Sequence, residues 1–142
     1  MNLSEHFTLE ELTHTDHREL NNEPNELEIE NIKRLAAFLE EVKTVLGGKP
    51  VMVNSAFRSK AVNDAVGSKD TSQHRIGCAA DIRVPGMTPD QVVKAVLSSD
   101  LQYDQIIREF DRWTHISIPN KKDTPARKQA LIIDKTGTRA YS

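Results

Sequence analysis

The chain has 142 residues, with 19 lysines and arginines against 21 aspartates and glutamates, for a net charge of -2. That length accommodates one hydrophobic core but not two independent ones, which predicts a single domain over residues 1–142. The charge balance argues against nucleic-acid partners and a polybasic membrane anchor, and a single cysteine, Cys78, excludes an internal disulfide and argues against a disulfide-stapled secreted fold.

The opening MNLSEHFTLEEL has neither the basic start nor the apolar run of a signal peptide, and no stretch approaches the roughly 20 apolar residues of a membrane span. The expectation is synthesis in a reducing cytoplasm with no membrane insertion. Thr8 with Glu11 three residues on forms a capping box for a short helix, and NNEPNE reads as a loop. From Leu27 to Leu46, Ile32, Leu35, Ala36, Leu39, Val42 and Leu46 recur at helical spacing, and Gly47-Gly48 ends that helix. KPVMVNSAF is a short strand, and SKAVNDAVG is a one-to-two-turn helix closed by Gly67.

In AADIRV, the residues Ala80, Ile82 and Val84 share one face and Asp81 and Arg83 the other, as in a half-buried strand. Thr88, Pro89 and Gln91 start a further helix. YDQIIREF and WTHISI flank Asp111-Arg112 as a β-hairpin, and QALIID is a last strand before a turn. Helices first and mainly antiparallel strands later predict an α+β domain.

The stretch SQHRIGCAAD sets His74 and Asp81 seven positions apart. Zinc accepts neutral imidazole nitrogen and carboxylate oxygen, and a catalytic site uses three protein ligands with a fourth position open. His115 is the third candidate. Ile116 and Ile118 point into the core, which sends Trp113, His115 and Ser117 to the opposite face. Spacing alone leaves a second reading open, with His74 in a polar loop, Asp81 paired with an arginine and His115 a satisfied histidine. His14 and His17 are three apart in a polar segment with no third ligand nearby and read as a solvated face. His6 offers nothing beyond that.

The string Ser72-x-His74-x-x-Gly77-x-Ala79-x-Asp81 resembles the signature of the zinc D-alanyl-D-alanine carboxypeptidases. Their relatives include the D-Ala-D-Ala dipeptidases and the L-alanyl-D-glutamate endopeptidases of bacteriophage endolysins. SAFRS is similar to that family's arginine motif, WTHISI to its second-histidine strand, and EHFTLEEL to the opening of a phage-associated branch. The resemblance runs in order from about Glu5 to Ile118. It implies a hedgehog/DD-peptidase type of fold, a central mainly antiparallel sheet with helices packed on it. It also implies zinc held by His74, Asp81 and His115.

In such a site the metal activates water and polarises the scissile carbonyl while a carboxylate moves the proton. Arg58, in SAFRS, matches the family arginine that contacts the substrate and steadies the anionic transition state. Ser72 is a substrate-side residue and a hydrogen-bond partner that orients the loop. Many relatives carry the catalytic acid three residues before the second histidine, where this chain has Arg112. The base is therefore Glu109 or Asp111, or it is absent. A two-residue hairpin loop would set Arg108 opposite His115, and a three-residue loop over 111–113 would set Glu109 there. Asp-Arg lacks the Gly/Asn chemistry of a tight turn, which favours the longer loop and Glu109.

The implied substrate is a peptidoglycan stem peptide, cut by a D,D-carboxypeptidase or L-Ala-D-Glu endopeptidase activity. The implied protein is a monomer, released to the wall through a pore-forming partner or packaged in a virion. The alternative is a non-catalytic zinc-binding virion or wall-binding protein that keeps the fold.

Overall fold

A computed structural model describes all 142 residues. One six-stranded sheet holds every strand, in the order β1-β2-β4-β3-β5-β6. The strands are β1 (Met52–Ser55), β2 (Ala79–Arg83), β3 (Gln105–Glu109), β4 (Trp113–Ser117), β5 (Gln129–Asp134) and β6 (Gly137–Ala140). All neighbours are antiparallel except β3 and β5. This is the expected α+β arrangement.

The helices begin where side-chain oxygens satisfy their first N–H groups. Helix α1 (Leu9–Leu12) is boxed by Thr8 and Glu11, and α4 (Pro89–Leu97) by Thr88 and Gln91. Asn25 and Glu28 do the same for α2 (Glu26–Val45), and α3 (Lys60–Ala65) starts at Ser59. Helix α2 buries Ile32, Leu35, Ala36, Phe38, Leu39 and Val42, each contributing about 1.5–3 kcal/mol for the large apolar side chains. These pack with Val92, Val93 and Val96 of α4 and with Ala80, Ile82, Ile106 and Ile116 of the sheet.

Strand alternation then decides where the polar residues go. Asp81 pairs with His115 across β2 and β4, and Ile107 pairs with His115 across β3 and β4. These three and Glu109 therefore share the face turned away from the helical core.

Two expectations need correction. The hairpin loop is Phe110–Arg112 rather than 111–113, with Glu109 opposite Trp113 and Ile107 opposite His115. Phe110 and Asp111 both have positive φ, 53° and 52°, and the Arg112 N–H donates to the Glu109 carbonyl at 3.0 Å. The shift is two residues, so Glu109 stays on the expected face. QALIID is also not the last strand, because β6 follows it and pairs with it.

Candidate metal centre

His74 is delivered by a short 3-10 turn, Gln73–Ile76, which Gly77 ends at φ 84°. A Cβ at Gly77 would lie 2.7 Å from Ile32 Cγ1 and 3.1 Å from the Glu28 carbonyl oxygen, so both backbone angle and space demand glycine. The Ser72 hydroxyl accepts from the His74 N–H at 3.3 Å. Gln73 Nε2 donates to Asp104 Oδ2 at 3.0 Å and to the Ile118 carbonyl at 2.9 Å, tying the turn to the end of β4.

His74 Nδ1 lies 2.6 Å from the Ala56 carbonyl oxygen. That oxygen can only accept, so Nδ1 carries the proton and Nε2 presents a lone pair. Nε2 is buried and makes no hydrogen bond. It stands 3.3 Å from Asp81 Oδ1, and His115 Nδ1 stands 3.1 Å from that same oxygen. The imidazole rings meet edge to face with centroids 5.1 Å apart. One ligand atom from each of the three residues falls within 4.8 Å of the others.

This donor set fits zinc. Tetrahedral bonds of about 2.1 Å place neighbouring ligand atoms about 3.4 Å apart, close to the two His–Asp separations. An orphaned buried imidazole nitrogen is otherwise costly, and a metal ion gives it a partner. All three residues are buried. Burial alone would raise the Asp81 carboxyl, but the imidazoles of His74 and His115 beside it outweigh that and hold Asp81 well below the usual carboxylate range. It is therefore ionised, as a ligand must be.

Arg58 follows β1 in the segment leading to α3. Its backbone N–H donates to the His74 carbonyl at 2.9 Å, its Nε donates to Ser55 Oγ at 3.2 Å, and Nη2 reaches Asp81 Oδ2 at 3.4 Å. Burial pushes its guanidinium below the usual arginine value while Asp81 and Glu109 pull it back up. The Arg–Asp pairing of the second sequence reading is thus present beside the metal ligands rather than instead of them.

Glu109 is raised above the usual glutamate value by burial first and by the charge of Asp81 second, with His115, Trp113 and Arg58 opposing. Trp113 Nε1 donates to Glu109 Oε2 at 3.1 Å. Asp111 is elsewhere. It is largely exposed and paired with Arg108 at 3.0 Å, and Arg108 belongs to the opposite face of the hairpin because it pairs with Thr114.

His14 and His17 lie outside any helix and contact Asp16 and Glu19 at 3.4 Å each, while His6 contacts Glu40 at 2.7 Å. Cys78 is buried, and burial pushes its thiol up to about 11, which makes it a poor nucleophile. Two contributors escaped the sequence reading. The Ala56 carbonyl leaves no side-chain signal, whereas Trp113 had one, since alternation places it on the His115 face.

No curated protein matches the sequence closely. Residues 5–117 match the family model of Peptidase M15, and that span contains Arg58, Ser72, His74, Asp81, Glu109 and His115. M15 metallopeptidases use zinc, in keeping with the donor set built by the fold. With most of its length matched and the ligand triad in place, the chain belongs to the Peptidase M15 family.

Proposed function

We propose that this zinc peptidase hydrolyses a peptide bond in peptidoglycan stem peptides, with Glu109 as general base and Arg58 as the substrate-contacting cation. The observation that carries the reading is the convergence of a His–Asp–His ligand triad, a partly buried arginine and a carboxyl raised by burial around one sheet face. When bound, zinc polarises the scissile carbonyl and acidifies water. His74 holds its ligand lone pair in place by donating from Nδ1 to Ala56. Glu109, raised above the usual glutamate value by burial and the nearby Asp81, accepts the proton of the attacking water and returns it to the leaving amine. Arg58, permanently charged, steadies the negative charge that develops on the carbonyl oxygen. Ser72 acts through the loop that carries His74, and Asp111 takes no part.

The substrate assignment rests on the family likeness and on the need for a dedicated enzyme where a peptide carries D-residues. Release through a pore-forming partner belongs to this proposal. Digestion of purified peptidoglycan followed by mass analysis of the fragments tests it, because new amino termini identify the bond. Release of fragments by wild type and not by Arg58→Ala is the expected result. A zinc-loaded protein that frees no peptide from any peptidoglycan type would favour the binding role instead.

A further inference from the structure

The hairpin tip next to Glu109 is built at a cost. Phe110 adopts a left-handed backbone, φ 53°, where a bulky side chain is out of place. The result is an aromatic ring left 46 % exposed and tilted at 45° to Trp113, with centroids 6.1 Å apart. Together with Asp111, Arg112, Asp134, Lys135 and Thr136 these rings line a groove of about 430 Å³ between the β3–β4 and β5–β6 turns. That volume falls in the range of about 300–1,000 Å³ for small-molecule sites. Asp111 and Asp134 are paired with Arg108 and Arg139, while Arg112 and Lys135 bring further cationic donors to the rim.

An aromatic wall under a rim of donors and acceptors suits a ligand with an apolar ring face and a polar edge, which is the chemistry of a saccharide ring. We propose that this groove binds the N-acetylated glycan of peptidoglycan, a subsite that rests on the stem-peptide reading above. Trp113 joins the two places, since its ring forms the groove wall while its N–H holds the Glu109 carboxylate. Trp113 and His115 are two residues apart on β4, about 7 Å along the strand. A sugar in the groove therefore lies beside the strand that carries His115, with its stem peptide within reach of the metal face.

The experiment reads the chain's only tryptophan, Trp113, by intrinsic fluorescence of the zinc-loaded protein. The probes are the peptide-free N-acetylglucosamine–N-acetylmuramic acid disaccharide and uncharged N,N′-diacetylchitobiose. Both should produce a saturable change in emission. Phe110→Gly removes the ring while suiting the left-handed backbone, and should weaken both probes by about 2- to 10-fold, the worth of one aromatic contact. Absence of a saturable change in wild type overturns the proposal. So does equal affinity in Phe110→Gly with its circular dichroism unchanged. A response to the disaccharide alone overturns ring recognition in favour of the lactyl anion on Arg112 and Lys135. Peptidoglycan cleavage with no sugar response removes the glycan subsite alone, and sugar binding without cleavage removes the peptidase reading.

Discussion

At the scale of single residues, Glu109 carries opposite demands from stability and catalysis. Burial and the neighbouring Asp81 raise its carboxyl above the ordinary value of 4.5, so ionising it in the folded protein is uphill relative to the unfolded chain. A raised carboxyl contributes stability below its unfolded value and loses it as pH rises through the folded one. Glu109→Gln should therefore stabilise the metal-free protein at pH 7, with the gain fading as pH falls through the raised folded value and gone once it is below about 4.5, as thermal melts in chelator across that range would read. The same substitution should cut peptide hydrolysis by roughly 10²–10⁴-fold, since glutamine cannot take the proton, with zinc content unchanged. A melt that is lower at pH 7, or activity retained, would assign Glu109 a structural role. The face on which Glu109 sits was legible once the poor turn chemistry of Asp-Arg favoured a three-residue loop over a two-residue one. Its cross-strand partner was not, because nothing in Phe110-Asp111 announces two consecutive left-handed residues.

At the scale of elements, capping chemistry was the most legible part of the chain. Thr8 with Glu11 and Thr88 with Gln91 form the boxes their spacing predicted, because a capping box needs only four consecutive residues. The turn carrying His74 depends on distant contacts instead, with Gly77 pressed against Ile32 and the Glu28 carbonyl of α2. This makes the two elements separable by mutation. Gly77→Ala meets a forbidden backbone angle and a 2.7 Å clash, so it should cost about 1–3 kcal/mol and weaken zinc binding by displacing His74. Thr88→Ala should cost about 1 kcal/mol and leave zinc affinity unchanged, since α4 supplies no ligand. Calorimetric zinc titration beside urea melts compares the pair, and equal zinc affinity in both variants would detach the Gly77 turn from the site.

At the scale of the whole molecule, the family match ends at residue 117, yet β5 lies parallel to β3 and the Ile133 carbonyl accepts from the Phe110 N–H at 2.8 Å. Strand β6 was illegible because all four of its residues are exposed, leaving no alternation to read. No helix is long and apolar enough to cross a membrane. The ligands come from the 3-10 turn, β2 and β4, which meet only when the sheet is assembled, so the free energy of zinc binding is free energy of folding. A ligand that binds only the folded state adds about 2.7 kcal/mol at 100 times its Kd, worth roughly 10 °C in a domain of this size. The melting temperature should accordingly climb with the logarithm of free zinc and fall on chelation. His74→Ala and His115→Ala should each flatten that dependence, whereas Asp111→Asn, in the exposed hairpin loop and paired with Arg108, should keep it. A wild-type melting temperature indifferent to zinc across that range would mean that the triad is a hydrogen-bonded polar cluster and not a metal centre.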